Sequence, residues 1–288
     1  MNELINLIQK ASQEKRAIGH FNAAETVTLR AIAEAAKKTG VPVIIGTSEG
    51  ERGFLGPKEA IALVRSLRES LGVPIFINAD HTHSFEKVVE AIEAGYDAIL
   101  FDGGKLSFEE NIKETKRVVE YVKSKNPMAI VEGELGYIGS SSMILKEIPQ
   151  GAAIEEKDLT KADEAATFVK ETGVDLLAPA IGNIHGMFKN APNPKINIDR
   201  IREIKSKTNI PLVLHGGSGT SDEEFSAAID AGINIIHINT ELRVGWRSSL
   251  EASLVENKDE IAAYKVMAKV QEAVGHIVEK RLQLFSRL

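Results

Sequence analysis

Pro74-Ile75-Phe76-Ile77-Asn78-Ala79-Asp80-His81 is an apolar run that ends on a carboxylate and an imidazole. Two other runs end in the same way: Leu176–His185 reads LLAPAIGNIH, and Ile210–His215 reads IPLVLH. Each is rich in Val, Ile and Leu and flanked by helical patterns, the signature of a strand buried on both faces in a parallel sheet. If such strands close into a barrel, their C-terminal ends share one mouth. Three imidazoles converging there could hold a divalent metal and leave a position open for substrate, with Asp80 as a carboxylate on the same rim. The pattern points to metal-assisted chemistry at a carbonyl.

Working outward, a repeated joint punctuates the chain: Thr39-Gly40-Val41-Pro42, Leu71-Gly72-Val73-Pro74, Ala94-Gly95-Tyr96-Asp97, Thr172-Gly173-Val174-Asp175 and Ala231-Gly232-Ile233-Asn234. In each, a glycine can close a helix in the left-handed conformation and an apolar strand follows at once. Eight strand runs result, at about Arg16–Ala23, Val43–Ser48, Pro74–His81, Ala98–Gly103, Ala129–Leu135, Leu176–Gly182, Pro211–Gly216 and Asn234–Thr240. Helical patterns separate them, with Ser84, Ser107 and Ser221 as N-caps. The expectation is an α/β single-domain (β/α)8 TIM barrel over residues 1–288, with a helical C-terminal extension over about 242–288. A doubly wound open sheet is the bland alternative. The stretch Tyr137–Asp158 is long enough to act as a lid. The tail, apolar at helical spacing over Tyr264–Phe285, is expected to pack on the barrel or on a second subunit.

The 288 residues suffice for one large domain, and the net charge of −6 argues against a nucleic-acid partner. With no cysteine, disulfides, thiolate nucleophiles and Cys-ligated metal are excluded. The N-terminus reads as a short amphipathic helix and not as a signal peptide. No apolar run approaches the roughly 18 residues that span a bilayer. A soluble cytoplasmic protein without a membrane partner is expected.

The strand ends supply Asn22, Ser48, Asp80, His81, Asp102, Glu132, Glu134, His185, His215, His237, Asn239 and Thr240, a polar ring that a purely structural barrel does not need. Any one of the histidines alone reads as an ordinary buried or surface residue; the coincidence of three argues for a metal. Zinc leads because imidazole suits it, and cobalt, iron and manganese are alternatives. Glu134 is a supplementary ligand or the partner of a lysine. Gly216-Gly217-Ser218-Gly219 and Asn239-Thr240 follow the last two strands, where backbone N–H groups and a helix N-terminus can meet a phosphate. A phosphorylated carbonyl substrate follows, with Asp80 moving a proton at the partner oxygen. His83 reads as a solvent-facing or supporting residue, and His20 and His276 have no evident partner.

These residues resemble the class II, metal-dependent fructose-bisphosphate and tagatose-bisphosphate aldolases nearly end to end. The most specific segments are Asp80-His81, Asp102–Asn111, Glu132-Gly-Glu-Leu-Gly136, Gly182–Lys189 and Leu214-His-Gly-Gly-Ser218. The resemblance implies His81, His185 and His215 as zinc ligands, Glu134 near a displaced metal position, and Asp80 as the acid at the aldehyde oxygen. It further implies Gly186, Gly216, Gly217, Ser218 and Thr240 at the phosphate of dihydroxyacetone phosphate, with Ser48 placing substrate. A monovalent cation is a second candidate cofactor. The chain departs from the family at His237, where Asn is usual, at Asn239, where Asp is common, and in the lid. There, Gly139-Ser140-Ser141-Ser142 replaces an acidic segment that carries the usual base. Glu147, Glu155 or Glu156 from the same loop, or His237 itself, could take that role. The implied function is retro-aldol cleavage of a ketose 1,6-bisphosphate, with fructose 1,6-bisphosphate first, to dihydroxyacetone phosphate and glyceraldehyde 3-phosphate, as in glycolysis. Tagatose bisphosphate, a keto-deoxy acid phosphate, or a non-catalytic sugar-phosphate binder are the alternatives. A homo-oligomer, dimer or tetramer, is expected.

Overall fold

A computed structural model describes residues 2–139, 142–189 and 193–288. Eight parallel strands close into a barrel: β1 (Ile18–Asn22), β2 (Val43–Thr47), β3 (Ile75–Thr82), β4 (Ala98–Phe101), β5 (Ile130–Leu135), β7 (Leu176–Pro179), β9 (Leu212–Leu214) and β10 (Ile233–Ile238). β1 pairs with β10 to complete the ring, His20 opposite His237. The open sheet is thereby excluded. Two short strands lie outside the ring, β6 (Ile144–Leu145) and β8 (Met187–Phe188), paired with each other in parallel.

Alternation along each strand sorts its side chains. Val43, Ile45, Ile75, Ile77, Ile99 and Val131 face outward into a shell packed under the helices. Ile18, Ile44, Phe76, Ala98, Ile130, Leu176, Val213 and Ile235 fill the lower barrel interior. Leu4 and Ile8 of α1 (Glu3–Gln13) join this inner cluster and plug the N-terminal end. Above it the interior turns polar, with His20, Asn22, Asn78, Asp80, Glu132, Glu134, His215 and His237 all buried. The N-terminal end of the barrel interior is therefore apolar and the C-terminal end polar.

The expected caps are present. Ser84, Ser107 and Ser221 accept backbone N–H bonds at the starts of α5 (Phe85–Ala94), α6 (Phe108–Lys125) and α9 (Asp222–Ala231). The joint glycines take positive φ, from 63° at Gly72 to 126° at Gly232. The tail forms α10 (Thr240–Glu256) and α11 (Ala263–Ser286). α11 buries Val266, Val270, Val274, Val278, Leu282 and Phe285, one stripe at helical spacing. It packs against α10, α2 (Thr26–Thr39) and β1, so the tail serves as part of the barrel's outer wall. Among the described residues no helix is long and apolar enough to cross a membrane.

Candidate active site

β3 carries a bulge. Between Ala79 and Thr82 it holds one residue more than the facing stretch of β4, and His81 sits at φ 40°. Neighbouring strand residues normally face opposite sides. The bulge breaks that alternation, so Asp80 and His81 both reach the mouth, with His81 Nε2 3.9 Å from Asp80 Oδ1. A left-handed non-glycine residue carries backbone strain, which the surrounding barrel has to hold in place.

His81 Nδ1 donates to Asp102 Oδ2 at 2.8 Å, which leaves Nε2 free for a metal. His215 Nε2 donates to Glu132 Oε1 at 2.8 Å, and its Nδ1 is buried without a partner. His185 lies six residues past β7, in a loop held by a bond from its own backbone N–H to Ile138 O at 2.9 Å. Its Nε2 is also buried and unpartnered, as is Glu134 Oε2. His81, Glu134, His185 and His215 each offer one ligand atom, all within 4.8 Å of one another. Orphaned buried donors that face one another fit a cation, and three imidazoles plus a carboxylate fit zinc.

The electrostatics agree. Burial pushes the His81 imidazolium down, but Asp80, Asp102 and Glu134 overcome this and raise it to about 10. Burial, with Asp102 next, holds Glu134 well above the usual carboxylate range. Burial and the neighbouring imidazoles keep His185 far below the ordinary histidine value. The nest of carboxylates demands a positive charge, supplied by a proton on His81 when no cation is bound.

Asp80 is fixed by Asn22, whose Nδ2 donates to Oδ2 at 2.8 Å. Burial raises this carboxyl, yet His81, the His237 contact and His20 outweigh it and hold it well below its usual range. His237 stacks on His20 with ring centroids 3.4 Å apart and lies 3.8 Å from the His215 ring. Its Nδ1 is 3.5 Å from Asp80 Oδ1, and neither ring nitrogen has a hydrogen-bond partner. Burial, then His20 and His215, keep it neutral.

Asn22, Asp80, His81, Asp102, His185 and His237 line one cavity of about 300 Å³, together with Ser48, Gly186, Gly216, Ser218, Asn239, Thr240 and Arg243, while His20, Glu132, Glu134 and His215 lie behind its lining. Gly217 stands behind the lining and donates its N–H to His237 O at 3.1 Å. Gly216 sits at φ 63°, and a Cβ there would lie 2.1 Å from Ile184 O. Ser218 Oγ accepts from Asn239 N and Glu241 N, both at 3.2 Å. Asn193 Nδ2 donates to Gly186 O and Ser218 O, both at 3.0 Å, and so ties the two glycine loops together.

The lid glutamates lie elsewhere. Glu147 is exposed and outside the cavity lining. Glu155 pairs with Lys157 at 2.9 Å, and Glu156 accepts from Asn197 at 2.8 Å and pairs with Arg200. Ser140 and Ser141 lie outside the described residues, while Ser142 reaches the cavity. His83 is half exposed, 3.6 Å from Asp102. Glu51, Arg243, Asn193 and the packing of His20 on His237 were missed in the sequence. Only Glu51 had a local signal: Ser48 and Glu51 form a capping box at the start of α3 (Glu49–Leu55).

Fold and site together define a closed parallel barrel whose mouth carries a cluster of imidazoles and carboxylates that could hold a metal ion. The model described as "Fructose-bisphosphate aldolase class-II" matches residues 2–287, and the chain belongs to that family of lyases. The fructose-bisphosphate aldolase of Geobacillus stearothermophilus is 33% identical over 99% of this chain and 96% of its own length. That of Helicobacter pylori (strain ATCC 700392 / 26695) is 33% identical over 96% and 95%. Among solved structures, the YdjI aldolase of Escherichia coli K12 superposes with a TM-score of 0.82 at 30% identity, covering 99% of this chain and 97% of that one.

Proposed function

We propose that this aldolase performs reversible retro-aldol cleavage of a ketose phosphate, releasing dihydroxyacetone phosphate and an aldehyde, with zinc held by His81, His185 and His215 and Glu134 as a further donor. The carrying observation is the set of four ligand atoms facing one another at the cavity, of which those of Glu134, His185 and His215 are buried and unpartnered. The relatives' names carry fructose bisphosphate, which as the 1,6-bisphosphate would yield glyceraldehyde 3-phosphate as the aldehyde.

A cation in this nest would polarise the substrate carbonyl as a Lewis acid and stabilise negative charge on its oxygen. Asp102 and Glu132 orient two of its imidazoles. Asp80, ionised and steadied by Asn22, accepts the proton of the hydroxyl that becomes the aldehyde oxygen, and returns it in condensation. Gly186, Gly216, Ser218 and Thr240, with Gly217 behind them, form the cradle for the phosphate, and Ser48 and Asn239 contact the sugar. His237, which lines the cavity, moves the proton at the dihydroxyacetone phosphate carbon in preference to Glu147, which is exposed outside it.

The test is a coupled assay for dihydroxyacetone phosphate release, with and without chelator. Turnover should vanish on chelation and return with zinc or cobalt; full turnover in protein shown metal-free by elemental analysis would overturn the metal assignment. We further propose at least a homodimer, because Phe54, Val255, Ile261 and Tyr264 leave large apolar surface exposed near or on the tail. Light scattering showing a stable monomer would count against it. Charged sugar phosphates do not cross a bilayer unaided, which supports a cytoplasmic setting.

A further inference from the structure

Among the described residues, Arg243 is the single lysine or arginine in the cavity lining. That guanidinium is already engaged: Nη2 lies 2.7 Å from Glu51 Oε1, and Nη1 donates to Ser142 O at 3.0 Å. Glu51 is 7% exposed and firmly placed. Its Oε2 accepts from Asn22 Nδ2 at 2.9 Å and from Ser48 N at 2.8 Å, and its Oε1 from Asn239 Nδ2 at 3.4 Å.

The nearby Arg52 offers nothing to a ligand. It is buried, and its guanidinium donates to Thr47 O, Asp80 O and Thr82 Oγ1, with Glu49 Oε1 4.0 Å away. Glu49 lines the cavity, and so does Asp80. Each cation on this wall therefore already faces a carboxylate. A second phosphate here would meet acidic groups with no uncommitted positive charge. Freeing Arg243 for it would strand Glu51, a buried carboxylate, without a counter-charge, which is strongly unfavourable.

We propose that Glu51 is a specificity-determining residue: by neutralising Arg243 it selects ketose 1-phosphates whose acceptor half is an uncharged aldehyde, and disfavours ketose 1,6-bisphosphates. This rests on the aldolase reading above and narrows its substrate class. The phosphate of the dihydroxyacetone half is unaffected, because its cradle is backbone N–H and Ser218. Rejection comes from like charge on the wrong ligand, the repulsive half of specificity.

The test compares fructose 1-phosphate with fructose 1,6-bisphosphate on zinc-loaded enzyme, by kcat/KM for dihydroxyacetone phosphate release, a product common to both. Wild type should favour the monophosphate. Glu51→Gln should move the ratio toward the bisphosphate on the order of tenfold, the scale of removing one close like charge. Adding Arg243→Ala to Glu51→Gln should cancel that gain, since the freed guanidinium causes it. Both substrates are read on the same sample, so a partly unfolded variant leaves the ratio intact. A wild-type preference for the bisphosphate, or a ratio unmoved by Glu51→Gln, overturns the proposal. Cleavage of neither sugar, with solvent hydrogen still exchanging into dihydroxyacetone phosphate, leaves the aldolase reading standing and rejects the acceptor assignment. Loss of exchange as well would reject the aldolase reading itself.

Discussion

Asp80 and His81 show how much chemistry one backbone irregularity can carry. Without the bulge, one of the two would point into the helical shell; with it, an imidazole and a carboxylate share the mouth. Asp80→Ala should lower turnover by about two orders of magnitude, as for loss of a general acid, with metal content retained if the ion sits on His81, His185 and His215 as proposed. Near wild-type turnover in the metal-loaded variant would give Asp80 another role. His237→Asn should abolish solvent hydrogen exchange into dihydroxyacetone phosphate while that ligand still binds, and Glu147→Gln should leave exchange intact; the reverse pattern would move the base to the lid. Asp102→Ala, which removes the hydrogen bond that orients His81, should weaken zinc affinity about 10–100-fold. Competition with a chromophoric chelator measures this independently of catalysis.

At the scale of elements, the site is a meeting of loops pinned to one another. β6 and β8 join the lid to the loop after β7, and Arg243 holds Ser142 from α10. Asn193 then joins that second loop to the one after β9. Gly216 has no room for a methyl group and a φ that L side chains rarely adopt. Gly216→Ala should therefore cost about 1–3 kcal/mol of stability or displace the cradle. Urea unfolding together with dihydroxyacetone phosphate affinity would detect either, and wild-type values in both would show that the cradle is less tightly built than its geometry says.

For the whole molecule, the buried histidines make stability depend on pH in two directions. Burial lowers His20 to about 4, so the folded chain refuses a proton that the unfolded chain accepts. Stability should fall as pH drops from about 6.5 toward 4. His81 is raised to about 10 in the metal-free protein, so its contribution is fully present below about 6.5 and is lost as pH rises through 10. Metal-free protein should thus lose stability on both sides of neutrality. Zinc bound as proposed would displace the His81 proton, so the alkaline loss should disappear in loaded protein. Urea midpoints from pH 4 to 10, with and without zinc, check both limbs; an alkaline limb unchanged by zinc would remove His81 from the metal site. Loading should also stabilise the fold, by about 2.7 kcal/mol at a hundredfold excess over Kd.

The barrel, its eight strands, the N-capping serines and the joint glycines were legible in the sequence, because each is set by neighbours within a few residues: apolar runs, caps and left-handed turns. The three histidines and Asp80 were legible as a group through their shared place after apolar runs, although His185 proved to lie in a loop rather than at a strand end. Other features depended on register between distant segments, which no local pattern records. The bulge that turns Asp80 and His81 the same way is one. The pairing of Asp102 and Glu132 with their histidines, the stacking of His20 on His237, and the placement of Gly217 behind the cradle are others. The sequence reading favoured a glutamate of the Tyr137–Asp158 loop over His237 as the base, whereas closure of the barrel sets His237 of β10 beside His20 of β1 inside the ring and Glu147 is exposed. Glu51 and Arg243 stand 192 residues apart and meet for the same reason. Local pattern determined the elements and their order; closing the ring decided which of their side chains share a dielectric, a proton or a charge.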